Sequence, residues 1–205
     1  MMRHLFRKVP YWYITKPDVA SGASTLSAFP ALICDGDSGY VIKESTGEEI
    51  DKRIDSAFAQ GAKFVTIDNV KDVTKDSYNS IATEEMASFR PLGKTQLMRV
   101  KNNCMITFNG INLTFTDDTA RRGLITELEP NNEKVWGGGE IKDKVAEKRI
   151  EIVKGLLGVL KSWVAAGVPR QQEKIPQFVS FESEINIINP ILKYVGITEA
   201  LTNSE

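Results

Sequence analysis

The sequence predicts an α/β fold over residues 1–136, followed by an all-helical subdomain over 140–205. Three observations predict it. Strand-like and helix-like segments alternate over the first two-thirds of the chain, the pattern of parallel strands joined by crossover helices. One strand, Lys63-Phe-Val-Thr-Ile-Asp68, is an apolar run that ends in a carboxylate. Three consecutive glycines at 137–139 then mark a joint, and beyond it every periodic segment is helical.

The elements follow in order. Tyr11–Thr15 is an aromatic and β-branched run closed by Lys16-Pro17, which reads as a strand. After the turn-rich PDVASGAS, the segment TLSAFPALI is helical in composition, and Pro30 is expected to end or kink that helix and so shorten it. CDGDSG reads as a turn and Tyr40–Lys43 as a short strand. Glu48–Gln60 is an amphipathic helix with Ile50, Ile54, Ala57 and Phe58 on one face and Gly61 as its stop. Asp76–Ser88 reads as a helix. Leu97–Lys101 and Cys104–Phe108 read as a strand pair around Asn102-Asn103, because asparagine tolerates the positive φ of a tight turn. Leu124–Leu128 reads as the last strand. Past the glycines, Val145–Ala166 carries Ile150, Ile152, Val153, Leu156, Leu157, Leu160, Trp163 and Val164 at helical spacing, and stops at Gly167 ahead of Pro169. Ser180 is expected to cap a final helix, bent at Pro190 and closed by Gly196.

Composition removes much of the catalytic menu. Among 205 residues there is one His and there are two Cys. Cys34 and Cys104 are far apart in sequence, and His4 lies in the N-terminal segment, so neither a zinc cage nor a His-dependent triad has its parts. The 26 Lys+Arg and 27 Asp+Glu leave a net charge of −1, so nucleic acid would have to be met by a local basic cluster. The apolar stretches around Gly155–Leu160 and Trp163–Val168 fall short of the roughly 20 residues of a membrane span. The start, MMRHLFRKVPYWYI, lacks the apolar run and cleavage site of a signal peptide. With two cysteines that suit a reducing compartment, a cytoplasmic protein without membrane contact is expected.

Strand, turn, helix, then a later apolar strand ending in Asp is the order of a P-loop nucleotide-binding domain. Such a loop needs small residues, because its N–H groups wrap the phosphates and a helix N-terminus adds positive potential. The matching window is Pro17–Ser24, in which Gly22 and Ser24 fit GxxxxGK[ST], while Pro17 replaces the first Gly and Ala23 the Lys. Ser21, Gly22, Ala23, Ser24 and Thr25 are the candidate nucleotide-binding residues. Phe64-Val-Thr-Ile-Asp68-Asn69 has the form of a Walker B strand, with Asp68 and Ser24 holding Mg²⁺ through water. The calcium-like Asp35-Gly-Asp37-Ser-Gly39 lacks its later acidic ligands and reads as a turn. The pairs Glu48-Glu49 and Glu84-Glu85 read as solvated faces, and Trp163 as core.

The chain resembles the AAA+-like ATPase domain of primase-helicase replication proteins from phages, plasmids and integrated elements, the superfamily-3-like helicases. The resemblance is carried by EEIDKRIDSAFAQGAKFVTIDNV (48–70), IATEEMASFRPLG (81–93), ITFNGINLTFTDDTARR (106–122), GVPRQQEKIPQFVSFESE (167–184) and ILKYVGITEALTN (191–203). It implies ATP and Mg²⁺ as cofactors, DNA as partner, and a homo-oligomeric, hexameric ring. It makes Asp68 and Asn69 the Walker B pair, and Asn112 the surviving amide of a motif whose other places are filled by Asn109, Gly110 and Ile111. Arg121 or Arg122 becomes the arginine finger offered to a neighbouring subunit. Arg90, Lys94, Arg99 and Lys101 fall where these helicases carry a pore hairpin that touches DNA. The primase part of such proteins is missing, so a fragment, a split gene or a reduced homologue is expected. The chain departs from the family at Ala23 and Ile111. Loss of the Walker A ammonium weakens phosphate binding, and such losses cost about 10²–10³-fold in rate. The alternatives are therefore a hydrolysis-deficient relative serving as a structural or regulatory subunit, and a nucleotide-binding switch without DNA contact.

Overall fold

The computed structural model describes residues 6, 8–19, 21–43, 47–74, 78, 81, 83–90, 96–129, 138–170 and 180–197. In chain order its elements are β1 (Tyr11–Lys16), α1 (Ala23–Cys34), β2 (Tyr40–Lys43), α2 (Gly47–Ala59), β3 (Phe64–Asp68), β4 (Asp72–Val73), β5 (Met86–Phe89) and β6 (Met98–Lys101). These are followed by β7 (Met105–Ile111), β8 (Thr114–Phe115), α3 (Asp117–Ala120), β9 (Gly123–Glu127), α4 (Gly138–Ala165) and α5 (Glu182–Tyr194).

Five strands form one parallel sheet in the order β2-β3-β7-β1-β9. Parallel neighbours need crossovers, and α1 carries the chain from β1 to β2, then α2 from β2 to β3. Alternation along the strands separates two faces. On one, Tyr11, Tyr13, Ile42, Val65, Ile67, Ile106 and Phe108 form a single cluster with Ile50, Ile54, Ala57 and Phe58 of α2. Phe108 is its hub: Tyr78 and Tyr11 lie at ring-centroid distances of 5.1 and 5.2 Å, Tyr11 edge-on. The Tyr11 hydroxyl also donates to the carbonyl of Tyr78.

The other face meets α1. The helix buries only small or medium side chains there, Ala23, Ser27, Ala28, Ala31 and Leu32, and the sheet presents the buried register pair Thr66 and Thr107. Outside α1 lies α4, whose Arg149 guanidinium donates to the carbonyls of Ile33 at 3.0 Å and Cys34 at 2.9 Å. A cation thus caps the last turn of α1, where helix carbonyls lack partners. Phe181 and Ile185, at the start of and within α5, belong to the same apolar cluster as α2.

The four apolar residues expected on α2 are all buried, and the strands at 11–16, 40–43, 64–68 and 123–127 fall where the sequence puts them. Four expectations do not hold. Pro30 neither ends nor shortens α1, which runs on to Cys34; packing of Ala31 and Leu32 and the Arg149 cap outweigh one lost backbone bond. The expected helix 76–88 is helical at the described residues 78, 81 and 83 but gives way by Met86, which opens β5. β6 pairs antiparallel with β5, Met86 opposite Lys101 and Phe89 opposite Met98, while β7 joins the central sheet, so 97–108 is not a hairpin. Asn102 explains this: its amide donates to the carbonyls of Ile81 at 2.6 Å and Glu84 at 3.2 Å, tying the chain to the segment before β5. Ser180 does not cap α5, whose N-cap is Phe181 without a side-chain bond. Trp163 is buried and donates to the carbonyl of Pro169 at 3.0 Å.

Residue 137 of the glycine joint lies outside the described residues, and no helix among those described is long and apolar enough to cross a membrane.

Candidate functional site

The strand order reverses between β1 and β7. From β1 the chain crosses to the β2 edge, whereas from β7 it passes over β1 to β9. In open parallel sheets the crevice outside the carboxyl ends of such strands is where ligands bind.

Three polar side chains converge there. β3 ends at Asp68; its register partner on β7 is Asn109, fully buried; and Ser24 comes from the first turn of α1. Asn109 Nδ2 donates to Asp68 Oδ1 at 2.7 Å and to Ser24 Oγ at 3.1 Å, and Ser24 Oγ lies 3.3 Å from Asp68 Oδ1. Gly22 caps α1 in the left-handed region at φ 84°, which glycine adopts without a Cβ penalty. Thr25 and Leu26 N–H both return to the Gly22 carbonyl. The N–H groups of Ala23 and Ser24, one residue and two into the helix, have no intrahelical acceptor, and no side-chain cap is present among the described residues. Two buried atoms at this corner, Ser21 Oγ and Asn109 Oδ1, have no hydrogen-bond partner among the described residues; such atoms cost about 1–3 kcal/mol.

This donor set suits a phosphate with a hard divalent cation. Free N–H groups at a helix start attract an anion, and a hydroxyl beside one carboxylate fits Mg²⁺, which keeps most of its waters. The ammonium is not in the loop. Lys43 is the register partner of Asp68 on β2, so its side chain leaves the same face at the same edge, and Lys16 closes β1 just before the loop. Among the described residues, no three His, Cys, Asp or Glu side chains group as a metal cage.

The other expected residues are distributed unevenly. Asn69 is exposed, at φ 63°, turning the chain away from β3. Asn112 is also exposed, at φ 46°, and its N–H donates to the Lys16 carbonyl at 2.8 Å, stitching β7 to β1 beneath the loop. The amide inside the corner is Asn109, which has a place in the sequence motif but no role there. Its signal was a carboxamide within the apolar run MITFNGI, which has to bond inside the sheet if buried. Gly110 follows for a steric reason: a Cβ there would sit 1.9 Å from the Val70 carbonyl oxygen.

Arg121 and Arg122 stand at the opposite edge. They precede Gly123, which pairs with Tyr11 at the start of β1, and the Arg122 carbonyl accepts from Tyr11 N–H at 2.9 Å. The five residue steps of β1 separate them from the loop by about 17 Å. Arg122 is bonded to Asp118 of its own chain at 3.0 Å, whereas Arg121 is exposed. Nearby, burial pushes the Tyr13 phenol far above its ordinary value, against a smaller opposing effect of Arg122, and its hydroxyl donates to the Thr119 carbonyl at 3.0 Å. The amino edge also opens a cleft of about 980 Å³, lined by Trp12, Phe64, Met105 and Leu124 among others. It lies at the other end of the strands from Ser24, Asp68 and Asn109.

Arg90, Arg99 and Lys101 are exposed on or beside the β5–β6 ribbon, whose other face buries Ala87 and Phe89. Lys94 lies outside the described residues, as do 171–179 and 198–203 of the two tail segments. Asp35 is held by Lys63 at 2.8 Å, a bond that raises the lysine's pKa, and Asp37 accepts from Gly39 N–H at 2.8 Å, so 35–39 is a turn with its carboxylates engaged.

Neither the protein-family models nor the curated proteins contain a match to this chain.

Proposed function

We propose that the corner formed by Ser24, Asp68 and Asn109 binds the phosphates of ATP with Mg²⁺, in a P-loop domain of the helicase-like, AAA+-related kind that the sequence resembles. The observation that carries this reading is the hydrogen-bonded meeting of the three side chains beside the left-handed Gly22 cap. In it, Ala23 and Ser24 N–H donate to phosphate oxygens. Ser24 Oγ and Asp68 hold Mg²⁺ through water, and Asn109 fixes the orientation of Asp68. The Mg²⁺ would neutralise phosphate charge and orient the phosphates toward an attacking water.

Ala23 supplies no ammonium, so Lys16 and Lys43, both at that edge, are the available cations on either side of the loop. The chain then turns over slowly as a DNA-associated ring subunit. Arginine assistance comes from a neighbouring copy, since Arg121 and Arg122 are out of reach of their own corner. Arg90, Arg99 and Lys101, with Lys94, are the DNA contacts in this reading. Ala23 and the Arg122–Asp118 pair favour a second reading, in which the domain binds nucleotide without hydrolysis and serves as a structural or regulatory subunit.

Fluorescent-nucleotide titration and a DNA-stimulated ATPase assay separate the two. Ala23→Lys is expected to raise nucleotide affinity at least tenfold; unchanged affinity removes 17–24 from the phosphate site. Replacing Arg99 and Lys101 together is expected to flatten the salt dependence of DNA binding, each phosphate contact contributing about 0.7–0.9 to the slope. An unchanged slope removes the ribbon from the DNA path.

A further inference from the structure

The longest helix, α4, carries an apolar row that the fold leaves in solvent. Ile150, Leu157 and Val164 are 66%, 44% and 58% exposed. They are seven residues apart, two helical turns, and so lie on one line. Half-buried Val153 and Leu160 occupy the intermediate positions of the same heptad, completing an a/d seam. The adjoining line of the helix is committed at its two ends, through Arg149 at the end of α1 and buried Trp163, with Leu156 between them 44% exposed. Scattered apolar residues on a surface need no explanation; a heptad row on one 28-residue helix does.

The charges beside the row identify the occupant. Asp143 and Glu147 precede Ile150, whereas Lys154 falls between Ile150 and Leu157 and Lys161 between Leu157 and Val164, all exposed. Glu147 and Lys161 stand equally far from Lys154, one heptad on either side. A two-fold axis near Lys154 therefore brings each Glu147 onto Lys161 of the other helix, an isologous and self-complementary contact. A parallel arrangement would set like charges against each other.

We propose that this face of α4 is a self-association surface on which two copies of the chain pair antiparallel, with Ile150 and Leu157 of each helix packing across the axis against Leu160 and Val153 of the other. The pair is weak and reversible. Its row spans about 21 Å at 1.5 Å per residue, and the two Lys154 ammonium groups meet near the axis, where they spread into solvent at some cost. The surface is separate from the nucleotide corner and does not rest on that reading.

Sedimentation equilibrium of the full chain over a wide concentration range tests it. The expected result is a monomer–dimer equilibrium that Leu157→Lys weakens at least tenfold; Leu157 is exposed, and circular dichroism verifies that the variant is folded. Glu147→Lys alone and Lys161→Glu alone should each weaken the dimer, and the two combined in one chain should restore it. Lys154→Cys in a Cys34→Ser background should give a disulfide-linked dimer on mild oxidation. A chain that stays monomeric at every concentration overturns the proposal. So does a dimer indifferent to Leu157→Lys, or a double charge swap that fails to restore pairing.

Discussion

The two faces of the central sheet are built from different chemistry, although they share the same strands. Consecutive residues of β7 show it: Phe108 points into the aromatic cluster over α2, and Asn109 points to α1 and bonds Asp68 and Ser24. The α2 face has large rings and aliphatics in contact, the arrangement that supplies burial energy. The α1 face has alanines on the helix and Thr66, Thr107 and Asn109 on the sheet. Small residues let the helix approach closely, so that its first turn reaches the strand ends. One face holds the fold and the other positions polar groups, and a substitution at a single strand can separate the two roles.

The largest expected effect is on the apolar face. Phe108→Ala removes a fully buried ring that touches Tyr11, Tyr13 and Tyr78, and should cost about 3–5 kcal/mol in a denaturant melt. A loss below about 1 kcal/mol would show that this face does not carry the stability. Gly110→Ala follows. Its Cβ would overlap the Val70 carbonyl oxygen, so the 69–70 turn must shift, at about 1–3 kcal/mol. That shift moves Asp68, so nucleotide affinity should fall along with melting temperature.

Asn109→Ala sharpens the contrast. It should cost about 1–2 kcal/mol, less than Phe108→Ala, yet lower Mg²⁺-nucleotide affinity more than tenfold. Equal affinity with reduced stability would make Asn109 a packing residue only. The smallest effect is at Asp55 on α2, half-buried, where burial and then the neighbouring Asp51 raise the carboxyl pKa. A raised folded value means that its favourable contribution is present below the unfolded value of 3.8 and is lost as pH rises through the folded one. Asp55→Asn should therefore raise the melting temperature slightly at pH 7 and leave it unchanged at about pH 3. Thermal melts at the two pH values check this, and a stabilisation equal at both would contradict it.

Local signals in the sequence were strong where one segment contained its own explanation. The apolar run into Asp68 and the spacing of Ile50, Ile54, Ala57 and Phe58 each identify an element without reference to the rest of the fold. Partner choice was not local. Whether 98–101 pairs with 105–108 or with 86–89 depends on the Asn102 bonds to Ile81 and Glu84, which no periodicity encodes. Pro30 predicts a break by its own chemistry, but the cap on α1 comes from Arg149, more than a hundred residues away. The choice between Asn109 and Asn112 turned on register: Asn109 is opposite Asp68, and Asn112 lies past the end of the strand. Motif order brought Ser24 and Asp68 to one corner, and register decided which amide entered it.

The central claim is that Ser24, Asp68 and Asn109 form a phosphate and Mg²⁺ site. Calorimetric titration of the full chain with ATP, with and without Mg²⁺, and of Asp68→Ala under the same conditions tests it most directly. The account predicts binding that Mg²⁺ strengthens in the native chain, with that strengthening lost in Asp68→Ala. Absence of binding, or an Asp68→Ala chain with undiminished Mg²⁺-dependent affinity, would contradict it.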